Sequence, residues 1–166
     1  MTLKYRIATP ILQGRFENLA KRQVKSPKFF FRDTGLLHSL LDIPNGHNLL
    51  GNPKVSTSWE GFVLEQALQI LYPIAAYFRG THAGTELDLV FQSRGNRYGI
   101  EIKFKEAPTL TPSMRIASSE LSLEHLLIIY PGNETYPVMK DITALPLKKS
   151  LHDPGENQIN HGLVSR

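Results

Sequence analysis

Two short segments of the chain place charged residues at alternating positions. Asp88 lies in the first segment, and Glu101 and Lys103 lie in the second. Because side chains alternate along a strand, a hairpin of these segments would place all three on one face, together with Glu86. Like charges on neighbouring strands repel, and a divalent cation removes that cost. Oxygen ligands of this kind suit Mg²⁺ or Mn²⁺, so the spacing predicts a metal site beside a lysine.

A metal ion beside a lysine would suit phosphodiester cleavage. The ion would activate a water molecule and stabilise charge on the phosphate. Lys103 would add a point charge near the attacking water or the scissile phosphate. The alternative is an amphipathic hairpin whose outer face carries solvated charges of mixed sign and binds nothing.

A helix over residues 58–72 adds a further carboxylate. At about 100° per residue, its apolar side chains fall in one broad arc. They are Trp59, Val63, Leu64, Ala67, Ile70 and Leu71. Glu60 lies within this arc, and a buried carboxylate needs a partner or must become neutral. Glu60 is therefore a candidate metal ligand, or a residue that orients one. Alternatively, Thr57 to Glu60 form a capping box at the helix start.

The hairpin must position the acidic side chains, and its other face is predicted to be apolar. The apolar residues are Leu87, Leu89, Phe91, Ile100, Ile102 and Phe104. A turn centred on residues 94–95 would place Asp88 opposite Glu101. A turn at residues 95–96 would instead place Asp88 opposite Lys103. Both registers keep the three charged groups on the same face.

The remaining elements predict an α/β fold with a mixed central sheet and helices packed on it. Strands are expected at residues 28–32, 75–79, 126–130 and 136–140, and helices at 34–41 and 112–121. Asp33 and Thr111 are suited to cap the two helices, and Pro112 suits a first helical position. A helix between the hairpin and the later strands predicts parallel as well as antiparallel pairing. Residues 42–55, rich in Pro, Gly and Asn, predict a connector.

Composition excludes several classes of function. The chain of 166 residues has no cysteine, which excludes disulfides, thiolate zinc sites and cysteine nucleophiles. It lacks an apolar run long enough to span a membrane, and a cytoplasmic location is expected. Neither a GxxxxGK[ST] phosphate loop nor a GxSxG serine motif occurs.

The formal net charge of +4 is concentrated near the start of the chain. Residues 1–32 hold one acid, Glu17, and the basic residues Lys4, Arg6, Arg15, Lys21, Arg22, Lys25, Lys28 and Arg32. Such a segment favours a polyanion partner, and we expect Lys21, Arg22, Lys25 and Lys28 to contact nucleic-acid phosphates. The alternative is a solvated basic surface or one docked on an acidic partner. Arg79, at a strand end, could bind a phosphate bidentately or pair with Glu86.

The acidic residues and the lysine together are similar to the PD-(D/E)xK nuclease signature. In that signature an acid on one strand is followed by acid-x-Lys on the next, as in Asp88 and Glu101-Ile102-Lys103. Glu60 matches the acid that the family has on the preceding helix. Leu87 stands where the name of the motif has proline.

A wider resemblance covers most of residues 15–147. Its pieces are residues 25–28, 31–37, 59–65, 78–79, 84–90 and 100–103. They resemble the domain of unknown function that follows an AAA-type ATPase in many bacterial and archaeal proteins. This resemblance implies a restriction-endonuclease-like core, here residues 53–149, after a small basic helical or winged-helix-like segment, here residues 1–52. Residues 150–166 are expected to form a loose polar tail. ATP hydrolysis is not carried over, because this chain has no phosphate loop.

The sequence thus predicts a metal-dependent nuclease acting on DNA, with Mg²⁺ or Mn²⁺ as cofactor. Asp88 and Glu101 would bind the metal, Lys103 would polarise water or phosphate, and Glu60 would complete the acidic cluster. The alternative is a non-catalytic module that binds nucleic acid or protein alongside an ATPase. In that case the charged groups would form a closed ion network, and Lys103 would be paired rather than facing an open pocket.

Overall fold

The protein is described from a computed structural model over residues 8–13, 28–71, 76–80 and 86–151. The described residues form eight strands and five helices. In chain order these are β1 (Ala8–Gln13), β2 (Lys28–Phe31), α1 (Thr34–Leu40), α2 (Gly46–Leu50), α3 (Val55–Leu71), β3 (Ala76–Gly80), β4 (Glu86–Ser93), β5 (Asn96–Ile102), α4 (Pro112–Leu121), β6 (His125–Tyr130), β7 (Tyr136–Met139), β8 (Ile142–Pro146) and α5 (Leu147–Leu151).

All described strands join one mixed sheet, in the order β2-β1-β3-β4-β5-β6-β8-β7. Strand β4 is antiparallel to both β3 and β5, whereas β3 is parallel to β1, and β6 is parallel to both β5 and β8. Helix α4 makes the crossover that parallel β5 and β6 require. The predicted α/β class and mixed sheet are therefore confirmed. Strands β1 and β2, from the segment predicted as an appendage, extend this sheet beyond β3.

Helices α3 and α4 cover opposite faces of the sheet with separate apolar clusters. The α3 side includes Val63, Leu64, Ala67, Leu89, Phe91, Ile100, Ile102, Leu127 and Ile129. The α4 side includes Leu87, Val90, Met114, Ala117, Leu121, Leu126, Ile128 and Ile142. Strand β6 alternates between the two clusters, as its continuous apolar run predicts for a strand buried on both faces.

The hairpin of β4 and β5 turns at Arg94 and Gly95, which both have positive φ angles, of 50° and 85°. Ser93 therefore pairs with Asn96, and Leu89 pairs with Ile100. Positive φ at both central residues is typical of the turn that best matches strand twist. Of the two registers left open by the sequence, the structure has the one with the turn at residues 94–95.

A bulge interrupts the pairing of β3 with β4. Tyr77 pairs with Val90 and Arg79 pairs with Leu87, so β4 uses three steps where β3 uses two. The extra residue changes the alternation of side chains at Asp88 and Leu89. The prediction that Leu87 shares a face with Leu89 is therefore wrong, because Leu87 packs on the α4 side.

Two further sequence expectations need correction. Phe104 was predicted on the apolar face, but it lies beyond the end of β5 and is 38% exposed. Helix α3 begins at Val55, so Thr57 lies inside the helix and the capping-box interpretation of Glu60 is wrong. The caps of the other two helices are confirmed. Asp33 accepts hydrogen bonds from the first turn of α1, and Thr111 accepts one from Met114 in α4.

Gly99, on β5, lies where a methyl group would meet core side chains. An added Cβ would lie 2.8 Å from Leu123 Cδ1 and 2.9 Å from Leu126 Cδ1. We expect Gly99→Ala to lower the free energy of unfolding by about 1–3 kcal/mol through overpacking. Urea unfolding measures this change. Gly46→Ala is the matched control, because no atom lies within 4 Å of its added Cβ. Equal transition midpoints for both variants would contradict the expected clash.

Candidate active site

The carboxylates predicted from the sequence converge where α3, β4 and the end of β5 meet. The ladder between β4 and β5 ends at the pair Leu89 and Ile100. Beyond this pair, Asp88 Oδ2 accepts a hydrogen bond of 2.8 Å from the backbone N–H of Ile102. The carboxylate thus takes the place of a strand carbonyl. This bond fixes Asp88, which is 8% exposed, between the two strands.

Glu60 reaches the same place from α3, and an ammonium group lies between it and Asp88. Lys28 Nζ is 3.1 Å from Glu60 Oε1 and 3.4 Å from Asp88 Oδ1. Lys28 begins β2, which packs closely on α3, since Cδ1 of Phe30 would lie 3.3 Å from a Cβ placed on Gly61. The structure therefore brings Lys28 to the acidic cluster.

Glu101 and Lys103 form a second ion pair, with 2.6 Å between Lys103 Nζ and Glu101 Oε1. Glu101 is 6% exposed, and within the described part of the chain its other oxygen, Oε2, is buried without a hydrogen-bond partner. Leaving a buried acceptor unsatisfied costs about 1–3 kcal/mol. A buried carboxylate oxygen without a partner is a natural position for a ligand that supplies positive charge.

Burial and mutual repulsion change the protonation of the acids. Burial, and then the charge of Asp88, raise the pKa of Glu101 to about 7, against the opposing effect of Lys103. Burial and the charge of Asp88 likewise raise the pKa of Glu60. Both acids therefore bind a proton more tightly than a free carboxyl group, because burial and a neighbouring negative charge disfavour ionisation.

The two lysines remain charged. Burial alone would lower the pKa of Lys28, but Asp88 and Glu60 outweigh it and raise that pKa above its usual value. Burial also tends to lower the pKa of Lys103. The charge of Glu101, and then those of Asp88 and Glu60, outweigh burial and raise this pKa. At neutral pH each lysine is therefore a fixed positive charge and not a proton acceptor.

Aromatic contacts position the backbone on both sides of the cluster. The ring of Trp59, next to Glu60, lies 5.9 Å from the ring of Phe104, next to Lys103. The centroid of Phe62 is 6.4 Å from that of Trp59. This packing joins the first half of α3 to the segment that follows β5 and so fixes the distance between their charged residues.

The carboxylate oxygens are of the type that binds a hard cation, but the carboxyl groups are not close enough together to coordinate one as they stand. Among the residues that the structure describes, no group of three or more His, Asp or Glu side chains is placed to hold a metal ion. Each acid instead has a lysine within ion-pair distance. The oxygen ligands and the unsatisfied Oε2 of Glu101 fit Mg²⁺ or Mn²⁺ chemically, provided that the lysines move.

The structure describes only part of the residues predicted to bind phosphates. Lys21, Arg22 and Lys25 lie outside the described residues. The backbone of Arg79 lies in β3, and its side chain is outside the described part. Lys28 was predicted to contact phosphates, and the structure places it against two carboxylates.

The spacing of the acidic residues does not predict that Lys28 joins their cluster. The signal that could have found it is the alternation in β2. Lys28 and Phe30 are two residues apart, so they share a face, and Phe30 is buried against α3 whereas Phe29 is 68% exposed.

The chain belongs to a family described as a domain of unknown function (DUF4143), whose sequence profile matches residues 56–150. Two similar proteins are the uncharacterized protein Rv2008c of Mycobacterium tuberculosis and the uncharacterized protein Mb2031c of Mycobacterium bovis. Each is 45% identical over 136 residues, which cover 82% of this chain and 31% of the relative. This chain thus spans about a third of those relatives. No solved structure matches it.

Among the described residues, no helix is long and apolar enough to cross a membrane.

Proposed function

We propose that this chain is a metal-dependent nuclease domain with a restriction-endonuclease-like core that hydrolyses phosphodiester bonds in DNA. The observation that supports this most is the convergence of Glu60, Asp88, Glu101 and Lys103 beside a bulged strand, with one buried carboxylate oxygen left without a partner. Bulges often re-aim side chains at active sites. The spacing of Asp88, Glu101 and Lys103 matches the PD-(D/E)xK pattern.

We propose the following roles for the four charged residues of the cluster. Asp88 and Glu101 would hold Mg²⁺ or Mn²⁺, and Glu60 would complete or orient the ligand set. The bound metal supplies Lewis acidity and lowers the pKa of a water molecule. Lys103 keeps its proton, because neighbouring acids raise its pKa. It therefore acts as a fixed positive charge toward the scissile phosphate.

The proposed partners are DNA and an ATPase. The basic residues Lys21, Arg22, Lys25 and Arg79 would contact DNA phosphates, so affinity should fall steeply as salt rises. Lys28 is left out of this set, because it pairs with Glu60 and Asp88. An AAA-type ATPase, in the same polypeptide or a separate one, is the proposed protein partner. The proposed location is the cytoplasm, in keeping with a chain that has no cysteine.

A cleavage assay tests the proposed function. End-labelled single-stranded and duplex DNA are incubated with the wild type and MnCl₂, and cleavage should appear and then stop when a chelator is added. Lys103→Met should slow cleavage about a hundredfold, because one positive charge at the reacting phosphate is lost. Lys105→Met, an exposed lysine two residues away, is the matched control. Cleavage at the same rate by both variants would contradict the role of Lys103.

A second candidate function is a non-catalytic module that binds nucleic acid or a protein beside an ATPase. The observation that favours it is the pairing of the charges, since Lys103 contacts Glu101 and Lys28 contacts both other acids. Such a module would bind DNA without cutting it, and Asp88→Asn would leave the affinity for DNA unchanged. Cleavage by the wild type would exclude this alternative.

A further inference from the structure

The ammonium group of Lys28 occupies a position suited to a cation ligated by two carboxylates. Its nitrogen lies 3.1 Å from Glu60 Oε1 and 3.4 Å from Asp88 Oδ1, and these two oxygens come from different elements of the fold. A divalent metal held by the same oxygens would lie nearer to each of them, at about 2.0–2.6 Å. The ammonium and the metal therefore cannot use this place together.

The backbone around Lys28 also positions its side chain. Phe30, two residues on, is buried against α3, and Arg32 Nε lies 3.3 Å from Glu65 Oε2 on the same helix. Lys28 thus reaches the acids from a strand that is attached to α3 at further points along its length. Its side chain is 29% exposed, so the ammonium has a path to solvent while the backbone of β2 stays in place.

We propose that Lys28 is a tethered cation that neutralises Glu60 and Asp88 when no metal is present, and that a divalent cation must displace it to bind. This inference rests on the proposed function, because it assigns a competitor to the same metal site. Lys28 would then be a positioning residue that keeps two acids close together before the metal arrives. It would also lower the apparent affinity for the metal, since binding requires the minor state in which the ammonium has left.

The arrangement of charges favours exchange over simultaneous binding. The described cluster contains three carboxyl groups and two lysines, and Lys103 is already paired with Glu101. Lys28 therefore supplies the positive charge nearest to Glu60 and Asp88. A divalent ion would supply that balance and would repel an ammonium at contact distance. Displacement moves the flexible side chain of Lys28 toward solvent and requires no change in the sheet.

Calorimetric titration of MnCl₂ into the wild type, Lys28→Met and Lys140→Met tests the proposal. Methionine keeps the apolar stem of the lysine and removes its charge. Lys28→Met should bind Mn²⁺ about tenfold more tightly than the wild type, the gain expected when one half-buried competing charge is lost. Lys140→Met removes an exposed charge in the turn after β7 and should bind like the wild type.

Thermal unfolding provides a second readout that does not depend on activity. Without divalent ions, Lys28→Met should unfold at a lower temperature than the wild type, because the buried Asp88 and the partly buried Glu60 lose their counter-charge. Added MnCl₂ should raise the melting temperature of Lys28→Met more than that of the wild type. If Lys28→Met does not fold without metal, Lys28→Gln, which retains hydrogen-bond donors, replaces it in both measurements.

The outcomes separate this inference from the proposed function. Tighter binding by Lys28→Met, with Lys140→Met unchanged, supports displacement. Mn²⁺ binding by wild type and Lys28→Met with equal affinity, or weaker binding by Lys28→Met, overturns the inference and leaves the metal site intact. Absence of Mn²⁺ binding in all three proteins overturns the inference and the metal-dependent function together.

Discussion

Replacing Asp88 with Asn is expected to reduce Mn²⁺-dependent DNA cleavage on the order of a thousandfold, the upper end of the loss when one electrostatic group is removed from an active site. Asp88 is the acid that both lysines and both other carboxylates surround. An amide in its place provides one neutral oxygen and a donor group that repels a cation. The measurement is the initial rate of cleavage of end-labelled DNA at a fixed concentration of MnCl₂.

Asparagine is the right substitution because it preserves the structural contact of Asp88. Its amide oxygen can still accept the hydrogen bond from the Ile102 N–H, whereas alanine would leave that buried donor unsatisfied. Asp42→Asn is the matched control. Asp42 is exposed and has a φ of 53°, a conformation that asparagine tolerates. Cleavage by Asp88→Asn at the wild-type rate would show that Asp88 is not a metal ligand.

Glu101→Gln is expected to stabilise the protein at alkaline pH and to have little effect in acid. The pKa of Glu101 is raised from 4.5 to about 7 in the folded protein, first by burial and then by the charge of Asp88. The folded state therefore binds the proton more tightly than the unfolded state does. The stability contributed by this group is full below pH 4.5 and is lost as pH rises toward about 7.

The stability lost when Glu101 ionises follows from the rise of its pKa on folding. It amounts to about 3 kcal/mol once Glu101 is fully ionised. Glutamine remains neutral, so the variant should exceed the wild type in free energy of unfolding by about that amount at pH 8 and match it near pH 4. Urea unfolding at the two pH values, with a chelator present, measures the difference. Glu106→Gln, which changes an exposed acid, is the matched control. An equal effect of Glu101→Gln at both pH values would contradict the burial of an ionised carboxyl group.

The regular elements of the fold could be predicted because their determinants are local. The residues Thr111 and Pro112 give the start of α4, and the apolar run of β6 gives a strand buried on both faces. The broad apolar arc of α3 also predicts that Glu60 faces the sheet. Glu101 and Lys103 are two residues apart, so alternation of side chains predicts that they lie on the same side, whereas the position of Asp88 also depends on the bulge.

The features that the sequence did not reveal depend on distant partners. The bulge in β4 arises from its pairing with β3, and no residue type at Asp88 or Leu89 marks it. Strand β8, only five residues long, was not predicted, and it is held between β6 and β7. Lys28 meets Glu60 and Asp88 across 32 and 60 residues of sequence. Spacing within a segment cannot predict contacts of that range, because they depend on how β2 packs on α3.

The most direct test of the metal site is calorimetric titration of MnCl₂ into the wild type and Asp88→Asn at neutral pH. The account predicts saturable binding by the wild type, with release of protons from the raised-pKa acids. It predicts no measurable binding by Asp88→Asn, which lacks the acid between the other two carboxylates. Absence of binding by the wild type, or equal binding by both proteins, would contradict the assignment of this cluster as a metal site.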